Sequence, residues 1–193
     1  MFTKKLFAIL LFAGPLLLHA QKPGNNLHWF NVTQWGWLMG KNEQTNSIET
    51  INGVSYKKYN AGIGVAFDNY GYHSLPVFAD LRYSLVNGRK NILQVYGDAG
   101  LNIPLHSDYL KYRYPDNGDV WHQMHISFYG ETGISYAYVL GRKFCLIAGA
   151  GYNYKTFKYS EYTYVGELQV TRYTTDYTYH YSKYVLRLGV GLR

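Results

Sequence analysis

The feature that most constrains this chain is a period of two that recurs over segments longer than the strands of ordinary soluble sheets. From Tyr59 to Asp68 one set (Tyr59, Ala61, Ile63, Val65, Phe67) alternates with another (Asn60, Gly62, Gly64, Ala66, Asp68). An extended backbone points such sets to opposite faces. The same pattern sets Leu75, Val77, Ala79, Leu81, Tyr83 and Leu85 against Pro76, Phe78, Asp80, Arg82 and Ser84. Four later segments repeat it, at 93–102, 127–138, 144–155 and 184–192. Polar residues and glycines again occupy one face, and Leu, Val, Ile and Tyr the other.

Two further strands are expected upstream, at His28 to Gly40 and, as a short one, at Ser47 to Asn52 with a turn near Gly53 to Lys57. The total is eight, an even number that brings both chain ends to one side of a closed barrel. Two connections are tight, Val86 to Lys90 and Leu140 to Phe144. Two are long, roughly 104–122 and 158–178. Asn87-Gly88-Arg89 and Gly141-Arg142-Lys143 suit three-residue turns, whose odd length keeps the apolar faces aligned. The last long connection is itself tyrosine-rich and alternating, so it is expected to form a β-hairpin projecting above the barrel. The parity of Tyr177, Tyr179 and Tyr181 disagrees with that of Tyr184, which predicts a bulge near Ser182-Lys183. The fold class expected is all-β: a closed antiparallel eight-stranded transmembrane β-barrel, an up-and-down meander.

Residues 1–20 read as a cleaved signal peptide. Lys4 and Lys5 precede an apolar run from Leu6 to Leu18, and Ala20 gives a small residue before Gln21. That run is too short for a membrane helix, which needs about 20 residues. The barrel domain is then 21–193. With Cys145 the only cysteine, no disulfide within the chain is available to an exported protein. The chain carries 19 Lys and Arg against 12 Asp and Glu. The basic residues are scattered in pairs at turns, which fits an anionic lipid surface and not nucleic acid.

Period two alone does not say which face meets lipid. The glycine-bearing face also carries Asp68, Asp80, Arg82, Asp98, Glu131, Lys155 and Arg187, with Lys58 at a strand edge. In a narrow barrel, glycines make room and opposite charges pair, so these eight residues are expected to form an ion-pair network filling the lumen. The other face lacks charge. That suits lipid, where Arg or Lys at mid-depth costs about 2–4 kcal/mol.

The segments YNAGIGVAFDNYG, LPVFADLRYSL, VYGDAGLNIPL, FYGETGISYAY and YVLRLGVGLR resemble the outer-membrane β-barrel domain proteins of the OmpA/OmpX-like group, over about residues 27–193. That resemblance implies an eight-stranded barrel in the outer membrane of a Gram-negative-type bacterium. It also implies assembly by the outer-membrane insertion machinery. Chains of this group usually end in an aromatic residue, where this one has Leu192-Arg193.

The chemistry-bearing residues make no strong motif. His125, Ser127 and Glu131 share a predicted strand face and faintly resemble the residues of outer-membrane lipid A deacylases. Glu131 is more simply a partner for Arg82, Lys155 or Arg187. His106-Ser107-Asp108 are triad residue types in a polar loop. His122 and His125 would point to opposite faces of a strand, so no metal is expected, nor any cofactor. Asn31-Val32-Thr33 matches a glycosylation sequon by coincidence. Lys111, Arg113, Lys158, Arg172 and Lys183 lie near the predicted outer rim, where they could meet lipopolysaccharide phosphates. The expectation is a monomeric, non-enzymatic outer-membrane barrel with a plugged lumen and a structural or surface-interaction role. Its 158–178 hairpin would be offered to an extracellular protein. The rival readings are a lipid-modifying enzyme and a small pore for hydrophobic molecules.

Overall fold

A computed structural model of the protein describes residues 27–41, 44–69, 73–105, 110–114, 118–141, 143–165 and 170–193. The signal region and His106-Ser107-Asp108 lie outside the described residues. Ten strands follow one another: β1 (Leu27–Met39), β2 (Gln44–Tyr56), β3 (Tyr59–Asn69), β4 (His73–Asn87), β5 (Asn91–Pro104), β6 (Leu110–Tyr114), β7 (Gly118–His125), β8 (Ser127–Val139), β9 (Phe144–Val165) and β10 (Val170–Leu192). Eight of them, β1 to β5 and β8 to β10, pair antiparallel with their neighbours, and β10 closes on β1, from Asn31↔Leu192 to Met39↔Tyr184. The protein is therefore a closed eight-stranded antiparallel β-barrel.

The two faces of every barrel strand fall as the alternation predicts. Inward are residues such as Asp80, Arg82, Asp98, Glu131, Lys155 and Arg187, all buried; outward are Ile63, Leu81, Ile134, Leu186, Leu188 and Val190, all more than a third exposed. Gly64 shows why the inner face needs glycine: a Cβ there would lie 2.3 Å from two ring carbons of buried Phe78.

Several expectations need correction. The second strand is not short: β2 runs 13 residues, and Gly53 sits mid-strand between Phe30 and Gly62. A Cβ on Gly53 would meet the Ala61 carbonyl at 2.3 Å, so this glycine permits a close strand approach and does not mark a turn. The turn lies at Lys57-Lys58, with Lys57 at φ 56°. Between β4 and β5 the odd step comes from a register shift between Ser84 and Val86, while Gly88 N–H donates to the Asn91 carbonyl at 2.9 Å. After β8, Gly141 takes φ 103° and Leu140 N–H donates to the Phe144 carbonyl at 2.8 Å. The connection 104–122 contains the hairpin β6–β7, and β7 pairs with the upper part of β9 from Asp119↔Tyr164 to His125↔Lys158.

No bulge interrupts Ser182-Lys183. The β9–β10 register runs unbroken from Tyr173↔Thr163 to Leu192↔Phe144, and the shift lies higher, between Thr171 and Tyr173. Tyr177, Tyr179 and Tyr181 therefore belong to the inward parity, continuing upward from Arg187, Val185 and Lys183. β8 leaves β9 at Lys155 and β1 leaves β10 at Tyr184. Above that level β9 continues for ten more residues, to Val165. At roughly 3.3 Å per residue, this places a four-stranded sheet (β6, β7, β9, β10) about 33 Å beyond the barrel along the strand direction.

Candidate functional site

The interior is filled by ion pairs arranged in three groups. Nearest the tall hairpin, Lys155 Nζ on β9 donates to both carboxylate oxygens of Asp68 (2.6 and 2.5 Å) on β3 and to Ser74 Oγ (3.0 Å) on β4, and Ser74 itself donates to Asp68. In the second group Arg187 on β10 grips Glu131 on β8, Nε to Oε1 at 2.7 Å and Nη2 to Oε2 at 2.6 Å, while Nη2 lies 2.8 Å from Glu49 Oε2 on β2. Glu131 also receives the Tyr96 and Tyr129 hydroxyls and Asn153 Nδ2, and Glu49 receives Gln34 Nε2. The third group is Arg82, whose Nε lies 2.9 Å from each oxygen of Asp80, with Asp98 directly across the strand pair from Asp80. The Arg82 guanidinium also lies 5.5 Å from the Tyr96 ring centre, a cation–π distance.

Among the buried residues, carboxylates Glu49, Asp68, Asp80, Asp98 and Glu131 face cations Arg82, Lys155, Lys183 and Arg187. The balance is within one charge, as a water-poor interior requires, since a buried ion without a partner is costly. Seven of the eight residues expected in the lumen are thus inside. Lys58 is not. It is exposed at the β2–β3 turn, where the two-residue connection turns its side chain to solvent. Tyr96 and Tyr129 fall on the inward face that the alternation gives, whereas sequence reasoning missed Glu49 and Gln34. The readable signal was the parity of Ser47, Glu49, Ile51 and Gly53, once β2 is allowed its full length.

The rim cations separate. Lys183 faces inward and is only 5% exposed, so it belongs to the interior and not to the outer rim. Lys158 is exposed on the outer parity of β9. Lys111 and Arg113 stand on β6 opposite Trp121 and Asp119, and Arg172 stands at the β10 register shift; their side chains lie outside the described residues.

His125, Ser127 and Glu131 do not share a face. Three residues, 126–128, stand opposite two, 156 and 157, between the pairings His125↔Lys158 and Tyr129↔Lys155. This one-residue slip turns His125 away. His125 Nε2 instead lies 2.8 Å from Ser160 Oγ, which donates to Asp176 at 2.6 Å. The Ser127 hydroxyl donates to the Thr156 carbonyl, and Glu131 is held by Arg187. Ser160 is the middle member of its chain, giving its proton to Asp176 with His125 Nε2 on its other side, and this chain stands apart from Ser127 and Glu131. Among the described residues no cluster of His, Cys, Asp and Glu is spaced for a metal ion.

Above the barrel, the inward parity carries an aromatic stack. Tyr159 lies 5.0 Å from Tyr177 and 5.8 Å from Tyr179, with ring planes 21° and 7° apart. The Tyr159 phenol titrates above its ordinary range, chiefly through its hydrogen bond with Tyr179 and secondarily through burial.

The outer surface completes the picture. Aromatics cluster toward both barrel ends: Trp29, Tyr56, Tyr59, Tyr138 and Phe144 at the end of the tight turns, Trp37, Phe67, Phe128, Tyr152 and Tyr184 at the other; all are exposed. Between them run Ile48, Ile63, Leu81, Val95, Leu101, Ile134, Leu186 and Leu188. From Tyr59 to Phe67 the strand runs about 26 Å along its own length at 3.3 Å per residue. That is about 20 Å of height at the roughly 35–45° tilt of barrel strands, most of the roughly 25 Å apolar band of barrels that sit in lipid. One polar patch interrupts this band. Asn31 Nδ2 donates to Asn52 Oδ1 at 2.8 Å, and the Thr33 and Thr50 hydroxyls lie 3.2 Å apart. The sequon at Asn31 is thus within a strand, engaged with its neighbour.

A closed ring of eight antiparallel strands, ionic within and uncharged with two aromatic girdles without, defines a transmembrane β-barrel. The chain is similar in structure to Neisserial surface protein A, with 13% identity, 87% of this chain and 97% of that chain covered, and a TM-score of 0.48. It is also similar to the outer membrane protein AlkL as solved in lipid bilayers, with 14% identity, 90% and 93% covered, and a TM-score of 0.46. For the translocator domain of the autotransporter NalP from Neisseria meningitidis the values are 13%, 99% and 96%, and 0.24. No family model and no curated protein matches the sequence.

Proposed function

We propose that this is an outer-membrane surface-interaction barrel of a Gram-negative-type bacterium, exported by the 1–20 signal and inserted by the outer-membrane machinery. On this reading it is a monomer closed to solute flow, and its tall sheet binds an extracellular protein. The observation that carries the reading is the free edge of β10. From Val170 to Lys183 that strand pairs with β9 alone among the described residues, whereas from Tyr184 onward it pairs with β1 as well. An exposed row of backbone donors and acceptors can accept a partner strand by β-augmentation. Lys158, exposed three residues beyond Lys155 where β8 leaves β9, is the cation that on this reading meets lipopolysaccharide phosphates; Lys111, Arg113 and Arg172 stand on the far part of the tall sheet.

Three supports favour a plugged barrel over a pore or an enzyme. The lumen is crossed by the Lys155–Asp68, Arg187–Glu131 and Arg82–Asp80 pairs. His125, Ser127 and Glu131 form no relay. Eight of the nine buried interior ions among the described residues, Lys183 apart, lie on strands that bring them within the three charged groups, which supports a filled axis. The test compares cells carrying the full chain with cells carrying a version shortened across 158–178, for adhesion to surfaces coated with extracellular proteins. Adhesion lost on shortening, with the barrel still folded, is the expected result. Equal adhesion from both chains would remove the surface-interaction reading. Planar bilayers with the full chain should show no large steady conductance.

A further inference from the structure

Where the three tight turns gather, the ion pairs stop short of the barrel mouth and leave a cavity of about 390 Å³. At the roughly 30 Å³ that one water occupies in the liquid, this holds about a dozen non-hydrogen atoms. It falls within the size range of small-molecule pockets, about 300–1,000 Å³. The two sides of its wall differ. Ser55, Asn60, Arg82 and Ser84, from β2, β3 and β4, make one side polar, with Lys57 at the rim. Val32, Ile92, Ala137 and Ile147, from β1, β5, β8 and β9, face them as part of the barrel's buried apolar cluster.

Every ionisable side chain lining the cavity, Cys145 apart, is basic: His28, Lys57, Arg82 and Arg193, with no Asp or Glu. Arg82 is 4% exposed, and its Nη2 has no hydrogen-bond acceptor among the described residues. Asp80 engages the same guanidinium through Nε, and neither Asp80 nor Asp98 lines the cavity.

We propose that this mouth is a binding site for a small amphiphilic anion, a carboxylate with an apolar tail of six to eight carbons being the simplest form. The tail lies on Val32, Ile92, Ala137 and Ile147. The anionic head meets Arg82 and the positive rim, where charge-assisted hydrogen bonds are the strong ones. Beyond Arg82 the ion pairs close the lumen, so the site holds its ligand and does not conduct it. This inference is independent of the tall sheet and goes beyond the surface-interaction role.

Cys145 lines the cavity and is the chain's only cysteine, which supplies a reporter. The experiment follows alkylation of Cys145 by iodoacetamide in the folded barrel in a non-ionic maltoside detergent, with octanoate or, as the uncharged control, 1-octanol. Octanoate should slow alkylation at least fivefold at saturation, and octanol at equal concentration should not. Arg82→Gln combined with Asp98→Asn keeps the local charge balance and should abolish protection. Lys57→Asn, at an exposed position whose positive φ suits asparagine, should raise the half-protecting octanoate concentration roughly threefold, as expected for one solvent-exposed charge. Equal protection by octanol would overturn the proposal, as would no protection by octanoate. So would a thiol unreactive without ligand, since the mouth would then be filled by the chain itself. If the double variant does not fold, Lys57→Asn decides, and an unchanged half-protecting concentration counts against the site.

Discussion

Replacing Arg187 by Met keeps most of the side-chain volume and removes the cation that joins Glu131 to Glu49. Arg187 makes two hydrogen bonds to Glu131, at 2.7 and 2.6 Å, and an ion-pair contact of 2.8 Å to Glu49. Without it two buried carboxylates face each other. Glu131 keeps three donors, from Tyr96, Tyr129 and Asn153, whereas Glu49 keeps only Gln34. Removing one partner of a buried ion pair costs about 3–5 kcal/mol, because the remaining charge is left in a poor solvent. At a urea slope of about 2 kcal/mol per molar, this shifts the unfolding midpoint down by about 2 M. The assay is urea unfolding of the barrel in lipid vesicles, read by the difference in gel migration between unboiled and boiled samples. A triple variant, Arg187→Met with Glu49→Gln and Glu131→Gln, removes the charges together and should lie within about 2 kcal/mol of the parent. A single variant within 1 kcal/mol of the parent would refute the reasoning, as would a triple variant as damaged as the single one.

Gly64→Ala should destabilise the barrel by about 1–3 kcal/mol through overpacking against Phe78, whereas outward Gly97→Ala, with nothing within 4 Å of the added carbon, should change it by less than about 0.5 kcal/mol in the same assay. Ser127→Ala should leave the lipid A profile of the cell unchanged by mass spectrometry; a gained or lost acyl chain would revive the enzyme reading. Shortening the chain across 158–178 should leave heat-modifiable migration intact, because barrel closure from Tyr184↔Met39 downward does not involve that segment.

The barrel was legible because its strands are amphipathic at a fixed period, so Asp80 and Leu81 declare opposite faces without any tertiary information. What the sequence concealed shares a cause: backbone geometry that changes parity without changing residue type. The slip at residues 126–128 sends His125 to the outer side of β9, and the shift at Leu85 replaces an odd turn. Gly53 reads as a turn residue and serves as a close-approach point. Lys58 and Lys183 exchange their expected places for the same reason, since a two-residue turn exposes one and an unbroken strand buries the other. The cavity at the mouth depends on which interior side chains stop short of one another, a matter of packing that alternation does not report.

The central claim is that the apolar face of this barrel looks outward into lipid around a charged axis. Spin labels at Ala79, Leu81, Ile134 and Leu188, and at inward Asp80 and Ser135, in a Cys145→Ser background reconstituted in bilayers, test it directly. Collisions with oxygen, which concentrates in lipid, should be frequent at the first four positions and rare at the last two, alternating between Ala79, Asp80 and Leu81. Frequent collisions with a water-soluble nickel chelate at Leu81 and Leu188 would contradict the account.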